Sequence, residues 1–205
     1  MFGFFKSKNE APELSHSVFF NKAGKYKHLA SLLLEAQKAG DTTLLVYHFD
    51  DTASFLKQLF CGLKISFAEN DFASLAKVYI FKAETLKQTL SAGLNKHVFK
   101  TVLISEIHPL AGKDEQLNRL IHEKTDAGTV RFYSSLDSSL FTAFGGTRLQ
   151  DLMLKMGIKE DEPVEHNMVS QSIKRAQEKI KDKVVVEKNA ASEAEWIKLN
   201  IPSRV

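Results

Sequence analysis

The 205-residue sequence contains one cysteine, one tryptophan and four prolines, and its formal net charge is only +3. The single thiol, Cys61, excludes an intramolecular disulfide, so a reducing compartment, the cytoplasm, is the expected location. Cys61 itself is expected to be buried as a small apolar residue. No apolar run approaches the roughly 20 residues that span a bilayer, so no transmembrane segment is predicted. The basic residues are scattered, which argues against a nucleic-acid-binding surface.

The N-terminal sequence MFGFFKSK combines three phenylalanines with two lysines. It lacks the long apolar core and the small-residue cleavage site of a secretory signal, so none is expected. Two interpretations remain open for this segment. It is either a frayed chain end with a few apolar anchors, or a docking element for a partner or a membrane surface.

Apolar segments of strand length alternate with segments of helical periodicity. Strands are predicted at residues 42–49, 63–67, 78–81, 99–105 and 129–135, with a further short strand at 183–186. Helices are predicted at residues 26–38, from Asp50 or Asp51 onward, at 84–94, 113–124, 170–180 and 193–199, with short helices between 138 and 156. Strands separated by single helices form a largely parallel sheet, so the predicted fold class is α/β.

Side-chain spacing predicts which faces of these helices are buried. The second helix should bury Phe55, Leu56 and Leu59. One apolar stripe on the helix at 170–180 should pack against the body of the protein, with Trp196 anchoring the last helix. The stripe consists of Val169, Ile173, Ala176 and Ile180.

In a parallel sheet, ligands bind at the carboxyl ends of the strands, which makes the loops at 47–51, 82–85, 106–113 and 134–138 candidate site loops. Glu106, His108 and Asp114 lie near one of these strand ends. Their spacing matches no metal-binding template, so a polar loop that caps the following helix is favoured over a metal or acid–base site. Asp137 is likewise expected to cap the helix that follows it.

Phosphate-binding loops need glycines followed by Gly-Lys-Ser/Thr, because backbone amides and the hydroxyl hold phosphate and magnesium. The two Gly-Lys pairs, at Lys25 and Lys113, lack both the preceding glycine and the terminal hydroxyl. The serines around Asp137 form no nucleophile elbow. We therefore assign no catalytic residue and no metal ligand, and expect no ATP binding of the P-loop kind.

From Ser105 onward the sequence resembles the second nucleotide-binding domain of the preprotein translocase motor SecA. The most specific part is residues 157–180, GIKEDEPVEHNMVSQSIKRAQEKI, and weaker similarity extends back to residue 18. The resemblance implies a RecA-like parallel sheet flanked by helices, of the P-loop NTPase type. Further matching residues are Glu106, His108, Asp114, Gln116, Leu117, Arg131, Phe132, Tyr133, Ser135 and Leu136.

The chain departs from SecA where that family contacts nucleotide. The two motif VI arginines that reach ATP phosphates fall at Leu120 and Glu123, and the loss of an arginine finger costs on the order of 10³ in rate. The glycines of motif V are replaced at residues 82–85. The residual candidates for nucleotide contact are Asp114, Gln116 and Arg119.

These observations predict a RecA-like domain at residues 18–156 after an extension at 1–17. A loop and amphipathic helix follow at 157–182, and a divergent tail at 183–205. The expected function is a non-catalytic, protein-binding module linked to protein export, with SecA or another export component as partner. Two alternatives stay open: the C-terminal half of a split ATP-dependent motor that works in trans, and a sensor that binds ATP or ADP without hydrolysis.

Overall fold

The computed structural model describes residues 14–93, 96–143, 146–155, 157, 159, 162–164 and 167–201. Six strands within these residues form one sheet in which all pairings are parallel. They are β1 (His16–Phe19), β2 (Thr43–Tyr47), β3 (Phe67–Glu69), β4 (Val78–Lys82), β5 (His97–Ile104) and β6 (Thr125–Ser135). Their order across the sheet is β1-β6-β5-β2-β4-β3. The prediction of a RecA-like α/β fold is confirmed.

Helices cover both faces of the sheet. They are α1 (Lys22–Ala39), α2 (Asp50–Leu63), α3 (Ala83–Ala92), α4 (Ala111–Lys124), α5 (Ser139–Ala143), α6 (Gly146–Lys155), α7 (Asn167–Lys181) and α8 (Glu193–Asn200). α1 shows why these segments begin and end where they do. The side chain of Asn21 accepts a hydrogen bond from the Gly24 amide at the first turn, and Gly40 ends the helix at φ 73°, a left-handed conformation that glycine adopts readily.

The core has two layers because successive strand residues point to opposite faces of the sheet. On one face, α1 and α2 bury Leu33 and Phe60 against Leu45 of β2. On the other face, α3, α4, α7 and α8 pack against Leu44 and its same-face neighbours. This distribution follows from right-handed crossovers, since the chain moves across the sheet in one direction through α1 and α2 and returns through α3 and α4.

The segment at 157–180 packs on the domain as predicted. Its apolar stripe, Val169, Ile173, Ala176 and Ile180, is buried in the core. Val164 exchanges two backbone hydrogen bonds with Val18, of 2.8 and 3.4 Å, and thereby covers the exposed edge of β1. Residues 1–13, Leu94, Phe144, Met156, Glu160, Asp161, Glu165 and His166, on which several predictions fall, lie outside the described residues.

Two predictions about α2 are wrong. Cys61 is exposed, because Phe60 occupies the inward-facing position and the next residue turns outward. Phe55 is 44% exposed and packs against the ring of Tyr26, with 4.4 Å between ring centroids. It lies at the rim of the domain and outside its core.

Two predicted strands also differ. The segment at 63–67 is helical at Leu63, turns at Lys64 with φ 56°, and enters β3 only at Phe67. The segment at 183–186 is not a strand, because the Val184 amide bonds back to the Ile180 carbonyl and Val185 is 96% exposed. No helix in the described ranges is long and apolar enough to cross a bilayer.

Candidate functional site at the carboxyl edge of the sheet

Asp114, in the first turn of α4, is fully buried and joins three parts of the chain. Its Oδ1 lies 2.9 Å from Nε2 of His48, which follows β2. Its Oδ2 accepts a 2.9 Å hydrogen bond from the His108 amide in the loop after β5. The side-chain amide of Gln177, on α7, donates to the His108 carbonyl at 2.8 Å and to Asp114 at 3.4 Å. Burial raises the pKa of Asp114, and the hydrogen bond to His48 opposes that shift.

Glu106, in the same loop, occupies the N-terminus of α2. Its Oε1 accepts hydrogen bonds from the backbone amides of His48 and Phe49, at 2.8 and 3.0 Å. Its Oε2 accepts a bond from the Thr52 hydroxyl. Asp51 accepts from the amide of its neighbour Thr52, whereas the carboxylate that accepts from the His48 and Phe49 amides before α2 comes from a distant loop.

Two further carboxylates at this edge accept hydrogen bonds from backbone amides at helix N-termini. Glu193, from α8, accepts from the Ser139 and Leu140 amides that open α5, at 2.8 and 3.3 Å. Burial raises the pKa of Glu193. Asp137 accepts a 3.0 Å bond from the Lys22 amide at the start of α1. The prediction that Asp137 caps the helix following it is therefore wrong, because Glu193 takes that position.

The C-terminal segment from Glu187 to Ile201 lies across this edge and is anchored by Trp196. The indole is 1% exposed, meets the ring of His108 edge-on at 5.4 Å between centroids, and donates its N–H to Glu187 at 3.1 Å. The Ala191 carbonyl accepts from the Asp51 amide at 3.1 Å. The predicted anchoring role of Trp196 is confirmed, and its surface of contact is the domain itself.

Three lysines at this edge have partners. Lys82 pairs with Asp50 at 2.6 Å, and Lys113 pairs with Glu187 at 2.9 Å. The amine of Lys25 is buried, which lowers its pKa, and it donates to the Ser105 carbonyl at 2.8 Å. Within the described part of the chain, no group of three or more His, Cys, Asp or Glu side chains is placed to hold a metal ion.

His108 provides a test of this packing through pH. Burial, with a smaller contribution from the neighbouring His48, lowers its pKa to about 2 from an unfolded value near 6.5. Between these values only the unfolded chain binds the proton, so acidification from about pH 7 to about pH 5 should remove roughly 2 kcal/mol of stability. His108→Asn retains an acceptor for the Leu110 amide, which bonds to Nδ1, and should lose less. Urea unfolding of both proteins at the two pH values measures the difference.

The comparison with His108→Asn isolates this group, because the raised pKa values of Asp114 and Glu193 act in the opposite direction in both proteins. Their folded forms hold protons more tightly than the unfolded chain, so acidification stabilises them. An equal loss of stability in wild type and His108→Asn would show that the imidazole is not held neutral.

Comparison with curated proteins gives partial matches to SecA from several bacteria. The SecA of Rubrobacter xylanophilus is 42% identical over 82 residues, which are 40% of this chain and 9% of that protein. The SecA of Acinetobacter baylyi is 43% identical over 79 residues, and that of Sorangium cellulosum 38% identical over 82 residues. The resemblance to SecA is confirmed for this part of the chain. The matched part spans less than a tenth of each relative's length.

The remaining comparisons add little to this. No family model matches the sequence. Among solved structures, the C-terminal part of the Fun30 ATPase domain aligns with a TM-score of 0.44 and 12% identity, over 76% of this chain and 54% of that one. This likeness is too distant to bear on function.

The residual candidates for nucleotide contact do not converge in space. Asp114 is buried beneath His48 and His108, whereas Gln116 and Arg119 are exposed on α4. Glu123, which aligns with a SecA arginine, lines a shallow depression with Lys96 and His97 at the amino end of β5. That position is at the edge of the sheet opposite to Asp114, so Glu123 does not face the candidate site.

Sequence reasoning missed two residues of this site. His48 directly follows the buried strand β2, and its place at a strand end was a usable indication. Glu193 gave no such indication, because it serves the start of α5 from 54 residues further along the chain.

Proposed function

We propose that this chain contains a SecA-related domain without ATPase activity, which acts by binding a protein partner in protein export. SecA itself is the first partner to test, and other export components follow. The partial sequence match to SecA supports the export context. The arrangement of carboxylates at the carboxyl edge supports the absence of nucleotide chemistry.

The carboxylates carry this proposal. Backbone amides at helix N-termini are the usual binding groups for phosphate. Here Glu106, Glu193 and Asp137 each accept from such amides, at the starts of α2, α5 and α1. A triphosphate would have to displace these acids while remaining next to their negative charge.

The cations at the same edge add to the argument. Lys82 and Lys113 are already paired with carboxylates. An arginine or lysine that stabilises phosphoryl transfer must be free to meet the developing charge. Both alternatives, the split motor and the nucleotide sensor, need an accessible carboxyl edge, and the segment around Trp196 covers the part of that edge at His108.

One calorimetric experiment tests both halves of the proposal. The full chain is titrated with MgATP and with MgADP, and then with purified SecA from the same organism. We expect no nucleotide binding below millimolar concentration and saturable binding of SecA. Purified SecA titrated with the same nucleotides serves as the positive control.

The outcomes distinguish the protein-binding module from the split motor and the nucleotide sensor. Micromolar binding of nucleotide by the chain alone would contradict the proposed module, which binds no nucleotide, and would favour the nucleotide sensor. Nucleotide binding that arises only in the mixture, beyond that of SecA alone, would favour the split motor. If SecA gives no heat and export components do not co-purify with the tagged chain from its own cells, the export partner is wrong.

A further inference from the structure

A cleft of about 370 Å³ opens at the carboxyl ends of β5 and β6, beside α1. Its size is in the range that holds a small organic molecule. The residues that decide its chemistry are Lys25, Tyr26, Phe55, Glu106, Ser135 and Glu193. Neither the proposed export role nor the match to SecA accounts for this cleft.

Two side chains in the cleft hold hydrogen-bonding capacity that the protein does not use. Lys25 is only 3% exposed, and burial lowers its pKa; its amine donates to the Ser105 carbonyl and has at least one further N–H donor. The hydroxyl of Ser135 is completely buried and has no hydrogen-bond partner. Native proteins rarely leave a buried hydroxyl unpaired, so this pair indicates a position for an acceptor group of a ligand.

Lys25 and Ser135 lie on the same side of the sheet. Along β6, Ser135 shares the face of Tyr133, which packs in the core layer beneath α1 and α2. Lys25 is carried by α1. Ser134, one residue earlier, also lines the cleft and also has a buried hydroxyl without a partner.

The rim of the cleft is aromatic. The rings of Tyr26 and Phe55 lie 4.4 Å apart between centroids, and Phe55 leaves 44% of its surface exposed. Burial raises the pKa of Tyr26, so its phenol stays protonated. An apolar group of a ligand that covered these rings would remove the exposed apolar surface from water.

The charges that line the cleft limit the ligand further. Asp51, Glu106 and Glu193 oppose only two lysines, Lys22 and Lys25, which gives the lining a formal charge of −1. A polyanion is therefore disfavoured. Because both positively and negatively charged side chains line the cleft, it matches a ligand with one negative and one positive group.

We propose that the cleft binds a free α-amino acid with an apolar side chain. The carboxylate lies against Lys25 and Ser135, and the ammonium faces the carboxylates of Asp51 and Glu106. The side chain covers Tyr26 and Phe55. The site stands independently of the proposed export function, because the ligand is bound by the chain alone.

Three related ligands test the proposal on the full chain by calorimetry. L-phenylalanine carries both charged groups, 3-phenylpropionate lacks the ammonium, and 2-phenylethylamine lacks the carboxylate. We expect saturable binding of L-phenylalanine, and at least about tenfold weaker binding of each analogue, because each loses a charge-assisted hydrogen bond. Absence of L-phenylalanine binding, or equal binding of either analogue, would overturn the proposal.

Variants locate the binding. Lys25→Met keeps the length of the side chain and should weaken L-phenylalanine binding by about tenfold or more, and Ser135→Ala by about fivefold. Lys38→Met makes the same change on the exposed last turn of α1 and should bind as wild type does. If Lys25→Met fails to fold, Ser135→Ala tests the location of the ligand instead, since this change removes only an unpaired hydroxyl. Wild-type affinity in Ser135→Ala would place the ligand elsewhere and reject the site.

Discussion

Asp114→Ala is expected to lower the free energy of unfolding by about 3 kcal/mol or more. The change leaves three buried donors without an acceptor: the ring nitrogen of His48, the amide of His108 and part of the Gln177 side chain. Each such loss costs about 1–3 kcal/mol when the donor stays out of water. Urea unfolding followed by the fluorescence of Trp196 measures the effect next to the site, because the indole contacts His108.

Two other substitutions interpret that result. Glu115→Ala changes the next residue, which is exposed, and should alter stability by no more than about 0.5 kcal/mol. Asp114→Asn keeps one oxygen acceptor, so its free energy of unfolding should lie between those of Asp114→Ala and Glu115→Ala. If Asp114→Ala were as stable as Glu115→Ala, the loops after β2 and β5 would be held by something other than this carboxylate.

Much of the fold follows from local sequence because burial and periodicity act over short distances. β2, Thr43–Tyr47, is buried at every position, as a strand covered on both faces must be, and its run of apolar residues shows this directly. The stripe on α7 is similarly local, since residues three or four apart share one face of a helix. The assignments of β2 and α7 made from these patterns agree with the structure.

The pairing of carboxylates with amides could not be predicted in this way. Glu106 serves amides 57 and 58 residues away, and Asp137 serves an amide 115 residues away. Which acid meets which helix depends on the crossovers and on the path of the C-terminal segment. A sequence pattern gives the nearest candidate cap, which explains why Asp137 was assigned to the wrong helix.

The resemblance to SecA likewise shows which residue types correspond, but it does not show where their side chains lie in the fold. The sequence resemblance places Glu123 where an arginine of motif VI is expected, yet Glu123 lies near His97, at the amino edge of the sheet. α4 contains 14 residues and is therefore about 20 Å long, which carries its last turn away from the carboxyl edge. The case against nucleotide chemistry therefore depends on Glu106, Glu193 and Asp137 more than on Glu123.

Trp196→Ala is expected to lower the free energy of unfolding by about 3–5 kcal/mol. If detaching α8 from the domain costs less free energy than this, the variant should lose the contacts of α8 instead. Among the almost fully buried side chains of the core, that of Trp196 is the largest. Its indole connects the C-terminal segment to His108 and Glu187. Circular dichroism in urea measures the loss of stability. Amide hydrogen exchange separates the two cases, because detachment removes protection from the Trp196 and Ile201 amides, which bond within α8, before the sheet opens.

Trp196→Phe is the matched control, since it keeps a ring against His108 and loses the N–H donor to Glu187, at a cost of about 1–2 kcal/mol. The pair also tests why nucleotide should not bind. Detachment of the C-terminal segment uncovers the loop after β5, but Glu106 still occupies the His48 and Phe49 amides. Trp196→Ala should therefore remain unable to bind MgATP. Nucleotide binding gained by this variant would show that the C-terminal segment, together with the Glu193 that it carries, excludes nucleotide, and would favour the nucleotide sensor.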